Sequence, residues 1–149
     1  VEELNLRGLP SQLRIIGPEK ESIPIHPSLY YLGFINKIND TDKFVSELLS
    51  WHFGTLFSTA EAFGISNREC FRLGIPVIAH SVGGISSTFD DESCGLMFKD
   101  KTSPEEVANW IFTCISSYDR YLNFRKELIK RNYKFTWDST VDKLIKILD

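Results

Sequence analysis

Residues 52–84, HFGTLFSTAEAFGISNRECFRLGIPVIAHSVGG, constrain the fold more tightly than any other part of the chain. The run from His52 to Ser58 reads as a strand. A loop of small residues follows. Ile65 to Leu73 then reads as a helix, and Gly74 fits the left-handed position that ends one. Pro76 to Ala79 reads as the next strand. The same alternation extends outward. Leu13 to Gly17, Leu29 to Ile35 and Gly95 to Phe98 read as further strands. Asp40 to Trp51 has the apolar spacing of a helix, at Phe44, Val45, Leu48 and Leu49, with Asp40 or Thr41 as N-cap. Helices are also expected from Pro104 to about Ser116, from Asp119 to Tyr133 and from Asp138 to Leu148. Pro104 suits a first helical position, with Glu105 and Glu106 favourable in the first turn. Strands alternating with helices predict an α/β fold, a parallel sheet covered by helices on both faces.

A chain of 149 residues fits one domain, expected to span residues 1–149. Val1 to Leu9 reads as the tail of a helix whose start is missing, so an excised piece of a longer protein is expected. The formal net charge of −3 gives no global attraction to nucleic acid or acidic membranes, and no nucleic-acid partner is expected. No run of 18 apolar residues exists to span a bilayer. The segment VEELNLRGLP lacks the basic and apolar regions of a signal peptide. A cytoplasmic location is therefore expected. The cysteines Cys70, Cys94 and Cys114 are odd in number and widely spaced, which favours reduced thiols over a disulfide framework. His26, His52 and His80 are equally scattered, and no metal site is expected from them.

Ligands of open parallel sheets bind beyond the carboxyl ends of the strands. The turn after the strand from His52 to Ser58 is such a place. It carries Glu61, then Ala62, Phe63 and Gly64, then the helix. Small residues at Ala62 and Gly64 let backbone N–H groups approach an anion closely. The helix N-terminus adds partial positive charge, so the loop suits a diphosphate. Glu69 lies five residues beyond Gly64, roughly 7 to 8 Å along a helix axis. From there a carboxylate can reach ribose hydroxyls while the helix end holds phosphate. Glu61, on the loop, would face a sugar beyond the diphosphate. Carboxylates accept paired hydrogen bonds from polyols and so fix their orientation. The alternatives are a solvated helix carboxylate at Glu69 and ordinary turn and stop glycines at positions 64 and 74.

As a set, these residues resemble the C-terminal domain of retaining GT-B glycosyltransferases, in particular the large family 4, or group 1. That family's string reads approximately P-S-x-x-E-G-F-G-x-x-x-x-E-A-x-A-x-G-x-P-V-[IV]-[AG], followed by a G-G turn. Ser58, Glu61, Phe63, Gly64, Glu69, Gly74, Pro76, Val77, Gly83 and Gly84 fall in register with it. Outside the string, LRIIG and YYLGFI resemble the two preceding strands. CGLMF resembles the family's G-L-L-V strand, and KFTWD the F-S-W before its closing helix. The resemblance implies one half of a GT-B fold, with a Rossmann-like parallel sheet that binds a nucleotide-diphospho-sugar donor. It implies Glu61, the candidate catalytic residue, on sugar hydroxyls and Glu69 on the ribose. It places the diphosphate on the backbone of Phe63, Gly64 and Ile65 beside Ala62, and the nucleobase near Ile35. It implies no cofactor besides the donor substrate. The acceptor, a saccharide or lipid-linked saccharide, would be met through an N-terminal domain absent from these residues. Polysaccharide, O-antigen or lipopolysaccharide assembly is the pathway class implied.

The chain departs from the family at Phe57, usually proline, and at Ala62, usually glycine. Gly83-Gly84-Ile85-Ser86-Ser87 carries no glutamate. The strand and loop with the family's phosphate-binding Arg and Lys are missing. A non-catalytic nucleotide-sugar-binding or scaffold module, or a sugar-nucleotide epimerase, are the alternative readings. Intact Glu61 and Glu69 argue against the first. Asp40-Thr41-Asp42 spells the D-x-D metal motif of another glycosyltransferase fold, but its place before a helix favours capping. The segment from Arg120 to Lys134 is basic with interleaved aromatics. It suits a solvated helix face, with Leu122, Leu128 and Ile129 packing inward, or a peripheral contact with an anionic membrane. His80 is read as structural, or as approaching the site from its strand end.

Overall fold

The computed structural model describes residues 1–17, 19–89, 92–99, 101–131 and 136–148. The elements among them are α1 (Glu2–Leu6), β1 (Leu13–Ile16), β2 (Leu29–Gly33), α2 (Thr41–Leu49), β3 (Gly54–Leu56), α3 (Ile65–Arg72), β4 (Val77–His80), β5 (Gly95–Phe98), α4 (Pro104–Ile115), α5 (Tyr118–Arg131) and α6 (Trp137–Leu148). Single 3₁₀ turns cover Lys20–Ser22, Gly83–Thr88 and Glu92–Cys94. The expected class holds: an α/β fold with parallel strands flanked by helices. The expectation of one sheet does not. β1 pairs with β2, and β3, β4 and β5 form a second sheet with β4 in the middle. Every pairing is parallel.

By packing, the chain divides into two compact units, Val1–Ser50 with Thr102–Thr113, and Trp51–Lys101 with Cys114–Asp149. In the first, Leu4, Ile35, Leu48, Ala108 and Ile111 are buried. A partly buried ion pair ties β1 to α2: Arg14 Nη2 donates to Glu47 Oε2 at 3.0 Å, and Nε lies 2.8 Å from Oε1 at an angle too bent for a second hydrogen bond. Arg7 of this unit bonds Glu3 and Asn109. Asp40 sits at the N-cap of α2 as expected, yet its side chain makes no cap bond. Thr41 Oγ1 donates instead to the carbonyl of Lys37 at 2.7 Å. At α4, Glu106 N–H donates to Ser103 Oγ at 3.1 Å and Ser103 N–H to Glu106 Oε2 at 2.6 Å, a reciprocal capping box behind Pro104.

In the second unit β4 is the core. Val77, Ile78 and Ala79 are at most 2% exposed, as a central parallel strand requires on both faces. α3 ends where Gly74 turns left-handed at φ 66°. From α5, Arg125 donates to the carbonyls of Leu73 and Gly74 at 3.2 and 2.9 Å, satisfying the end of α3. Tyr121 is buried and its hydroxyl donates to the carbonyl of His52 at 2.7 Å. Leu128 packs inward as expected, whereas Ile129 is half exposed, with its tip against Gly74. Arg120, Lys126 and Lys130 are exposed. Tyr133 and Lys134, the end of that basic segment, and the start of the KFTWD string lie outside the described residues. Cys70, Cys94 and Cys114 are in no disulfide.

Candidate functional site

The loop between β3 and α3 is built by close approaches that only glycine permits. Gly84 N–H donates to the carbonyl of Glu61 at 3.0 Å. A Cβ on Gly84 would strike the carbonyl of Ala62, and one on Gly83 would strike the carbonyl of Glu61. The turn Gly83–Thr88 is thereby seated directly on the loop backbone. A second bond holds the turn from below. Asn67, on α3 and 1% exposed, donates from Nδ2 to Thr88 Oγ1 at 3.3 Å, and Thr88 Oγ1 donates to the carbonyl of Ile85 at 2.7 Å.

Gly64 is the N-cap of α3 at φ 74°, ψ 55°. That left-handed conformation favours glycine and reverses the chain so that the helix starts at Ile65. The cap uses no side-chain bond, and Asn67 N–H donates to the carbonyl of Gly64 at 3.0 Å, so an anion would meet the N–H groups that precede Asn67. Glu61 is half-buried, and its Oε1 accepts a long bond, 3.4 Å, from Phe63 N–H. Phe63 and Ile65 are exposed, and Glu69 is half-buried on the second turn of α3. Upstream, Ser58 is held by His80: a contact of 3.3 Å joins the Nδ1 edge to the Ser58 carbonyl, which requires the proton on Nδ1. The His80 ring stacks on Phe98 at 5.1 Å, and Phe57 packs on the same ring at 5.5 Å.

Glu61, Ala62, Phe63, Gly64, Ile65 and Glu69 thus lie on one strand–loop–helix of the second unit, at the carboxyl end of β3. Ile35 belongs to the first unit. It is 3% exposed, while its neighbour Phe34, just after β2, is 76% exposed. No group of three or more His, Cys, Asp and Glu side chains that could hold a metal ion occurs among the described residues. Asp40 and Asp42 form no such group. Asn67 and Arg68 escape a reading of the sequence because neither type is demanded by the string. The two glycines at 83 and 84 are visible in it as a pair, but the carbonyls they cover are not.

The sequence profile of the family described as Glycosyl transferases group 1 matches residues 13–135, from β1 through α5. The chain belongs to the group 1 glycosyl transferases. A curated relative is the D-inositol 3-phosphate glycosyltransferase of Segniliparus rotundus, 27% identical over 88 residues, which are 59% of this chain and 19% of that protein. The chain therefore spans about a fifth of that relative's length. Among solved structures, Anabaena HepE in complex with UDP superposes with a TM-score of 0.61 at 22% identity, covering 81% of this chain and 32% of that one. WaaG, a glycosyltransferase involved in lipopolysaccharide biosynthesis, gives 0.65 at 17% identity, covering 88% and 37%. Sucrose-phosphate synthase from Thermosynechococcus elongatus gives 0.70 at 19% identity, covering 99% of this group 1 chain and 41% of the other. At these identities the superpositions establish the shared fold.

Proposed function

We propose that this group 1 chain is a donor-binding domain of the retaining, family 4 type. The carrying observation is the loop of Glu61 to Gly64, clasped by Gly83 and Gly84 and opening at a left-handed Gly64 onto the uncapped start of α3. The diphosphate of a nucleotide-sugar sits on the N–H groups of Phe63, Gly64 and Ile65. Glu69 accepts hydrogen bonds from the ribose, and Glu61 from the sugar. Phe63 N–H exchanges its long bond to Glu61 Oε1 for a phosphate oxygen, while the Glu61 carboxylate has acceptor sites enough for the sugar hydroxyls. The donor is the substrate, and the reading assigns no metal or cofactor to the site. The protein carrying this chain transfers a hexosyl group to a saccharide or lipid-linked saccharide acceptor, in the cytoplasm or at the inner face of a membrane. HepE has been solved with UDP, with UDP-glucose and with UDP and glucose, which makes uridine nucleotides the first probes to try. WaaG supports lipopolysaccharide or polysaccharide assembly as the pathway class.

Calorimetric titration with UDP-, GDP- and ADP-sugars tests the reading. One series should bind, and Glu69→Ala should weaken it roughly 10- to 100-fold, the value of hydrogen bonds to a charged group. If no nucleotide-sugar binds, or if Glu69→Ala binds as tightly as the parent, the assignment is wrong.

A further inference from the structure

The loop carries a cation of its own. Arg68, on the first full turn of α3, directs its guanidinium back toward the N-terminal end of the helix, as long helical side chains do. The group lies over the Phe63 ring, 6.0 Å from its centroid. Its Nη2 donates to the carbonyl of Ser87 at 3.2 Å. One side chain therefore touches both halves of the clasp: Phe63 in the anion loop, and the turn Gly83–Thr88 seated on that loop. The positive charge is held level with Phe63, whose backbone is one of the three proposed phosphate donors.

We infer that Arg68 is a donor-positioning residue for the diphosphate. This rests on the donor reading above. Its planar fork and delocalised charge let it stack on Phe63 and bond a carbonyl at once, which a lysine does less well. Fixing Phe63 fixes the N–H group that follows from it. The guanidinium also adds favourable field where the leaving diphosphate accumulates charge, a field that a neutral residue of similar size does not supply. Phosphate stabilisation is thus built partly into α3 itself, beside whatever basic groups other parts of the protein contribute.

The test compares Arg68→Gln and Arg68→Lys with the parent, in the protein that carries this chain. Binding of UDP, GDP and ADP, of the matching monophosphates and of the matching nucleosides is measured by calorimetry at low and moderate salt. For the base that binds, Arg68→Gln should weaken the diphosphate roughly tenfold. The loss should be smaller for the monophosphate and absent for the nucleoside. Arg68→Lys should recover part of the diphosphate affinity, and the salt dependence of diphosphate binding should flatten only in Arg68→Gln. Equal losses for nucleoside and diphosphate, no loss at all, or a lysine variant as weak as the glutamine one would overturn the assignment. Failure of the parent to bind any nucleotide would instead strike the donor reading itself.

Discussion

The tightest constraint in the second unit falls on two residues without side chains. Gly83 and Gly84 lie against the carbonyls of Glu61 and Ala62, and Gly84 N–H closes the contact at 3.0 Å. An alanine at 84 has no low-energy escape, because the obstacle is backbone rather than the flexible end of a side chain. Overpacking of this kind costs about 1 to 3 kcal/mol, or moves the backbone to relieve it. Either outcome shifts the loop that presents Phe63 and Gly64. Gly84→Ala should lower the unfolding midpoint and weaken nucleotide binding at least tenfold, measured by thermal unfolding with and without UDP-, GDP- or ADP-sugar. A variant with the parent's melting temperature and affinity would show that the clasp is unimportant. The residue types of the candidate site are visible in the sequence, where Glu61, Gly64 and Glu69 fall in register with the family's string. Their restraints are not. Asn67 buries its amide against Thr88, 21 positions on, and that partnership exists only once the 3₁₀ turn has formed. Ile35 shows the opposite limit. Position after a strand marks it for a ligand, whereas 3% exposure makes its side chain part of a core and leaves Phe34 as the surface group.

At the level of elements, the pattern foretold type and order well and ends less well. β5 runs from Gly95 to Phe98 as read, because a short apolar run between glycine and charge leaves little choice. β3 is shorter than the apolar run from His52 to Ser58. Phe57 leaves the ladder to pack on Phe98, and the Ser58 carbonyl turns to His80. β2 stops at Gly33, whose φ of 80° cannot continue an extended strand. Pairing into two sheets is invisible in a periodicity, which records which faces are apolar and not which edge meets which. The end of α4 and the start of α5 carry two groups whose ionisation couples to stability at alkaline pH. Burial pushes the Cys114 thiol from 9.0 up to about 11, with Arg120 opposing. Burial likewise raises Tyr121 above 10.0, with Arg125 opposing. Both groups are neutral in the fold and ionise more easily in the unfolded chain. The Cys114 contribution is fully present below pH 9.0 and is lost as pH rises through about 11, and that of Tyr121 is fully present below pH 10.0 and is lost above it. The urea midpoint should therefore fall above pH 9.0, and less steeply in Cys114→Ala. A midpoint with the same alkaline slope in parent and variant would remove Cys114 from the account.

For the molecule as a whole, charge and size decide what this chain can do by itself. Its formal net charge is −3, and a nucleotide-diphospho-sugar is also an anion. Long-range steering by this chain therefore does not favour such a donor, and in the proposed site attraction is local, at the α3 terminus and Arg68. In the proposed site, binding draws on that loop, the two glutamates and Arg68. Transfer needs more: an acceptor hydroxyl aligned on the anomeric carbon on the face that the leaving diphosphate vacates, as retention requires, an arrangement worth about 7 to 11 kcal/mol of a barrier when a protein provides it. The chain corresponds to 19% of its curated relative and 32% of HepE, so the greater part of those proteins lies outside the match. The 149 residues expressed alone should bind the nucleotide-sugar yet release no more free or transferred sugar than buffer does. The two readouts separate cleanly: calorimetry reports the donor site, and a radiolabelled-sugar assay with saccharide acceptors reports the chemistry. Sugar transfer by the isolated chain above the buffer rate would show that the acceptor site is built from these same residues, and that Glu61 and Glu69 stand beside an acceptor as well as a donor.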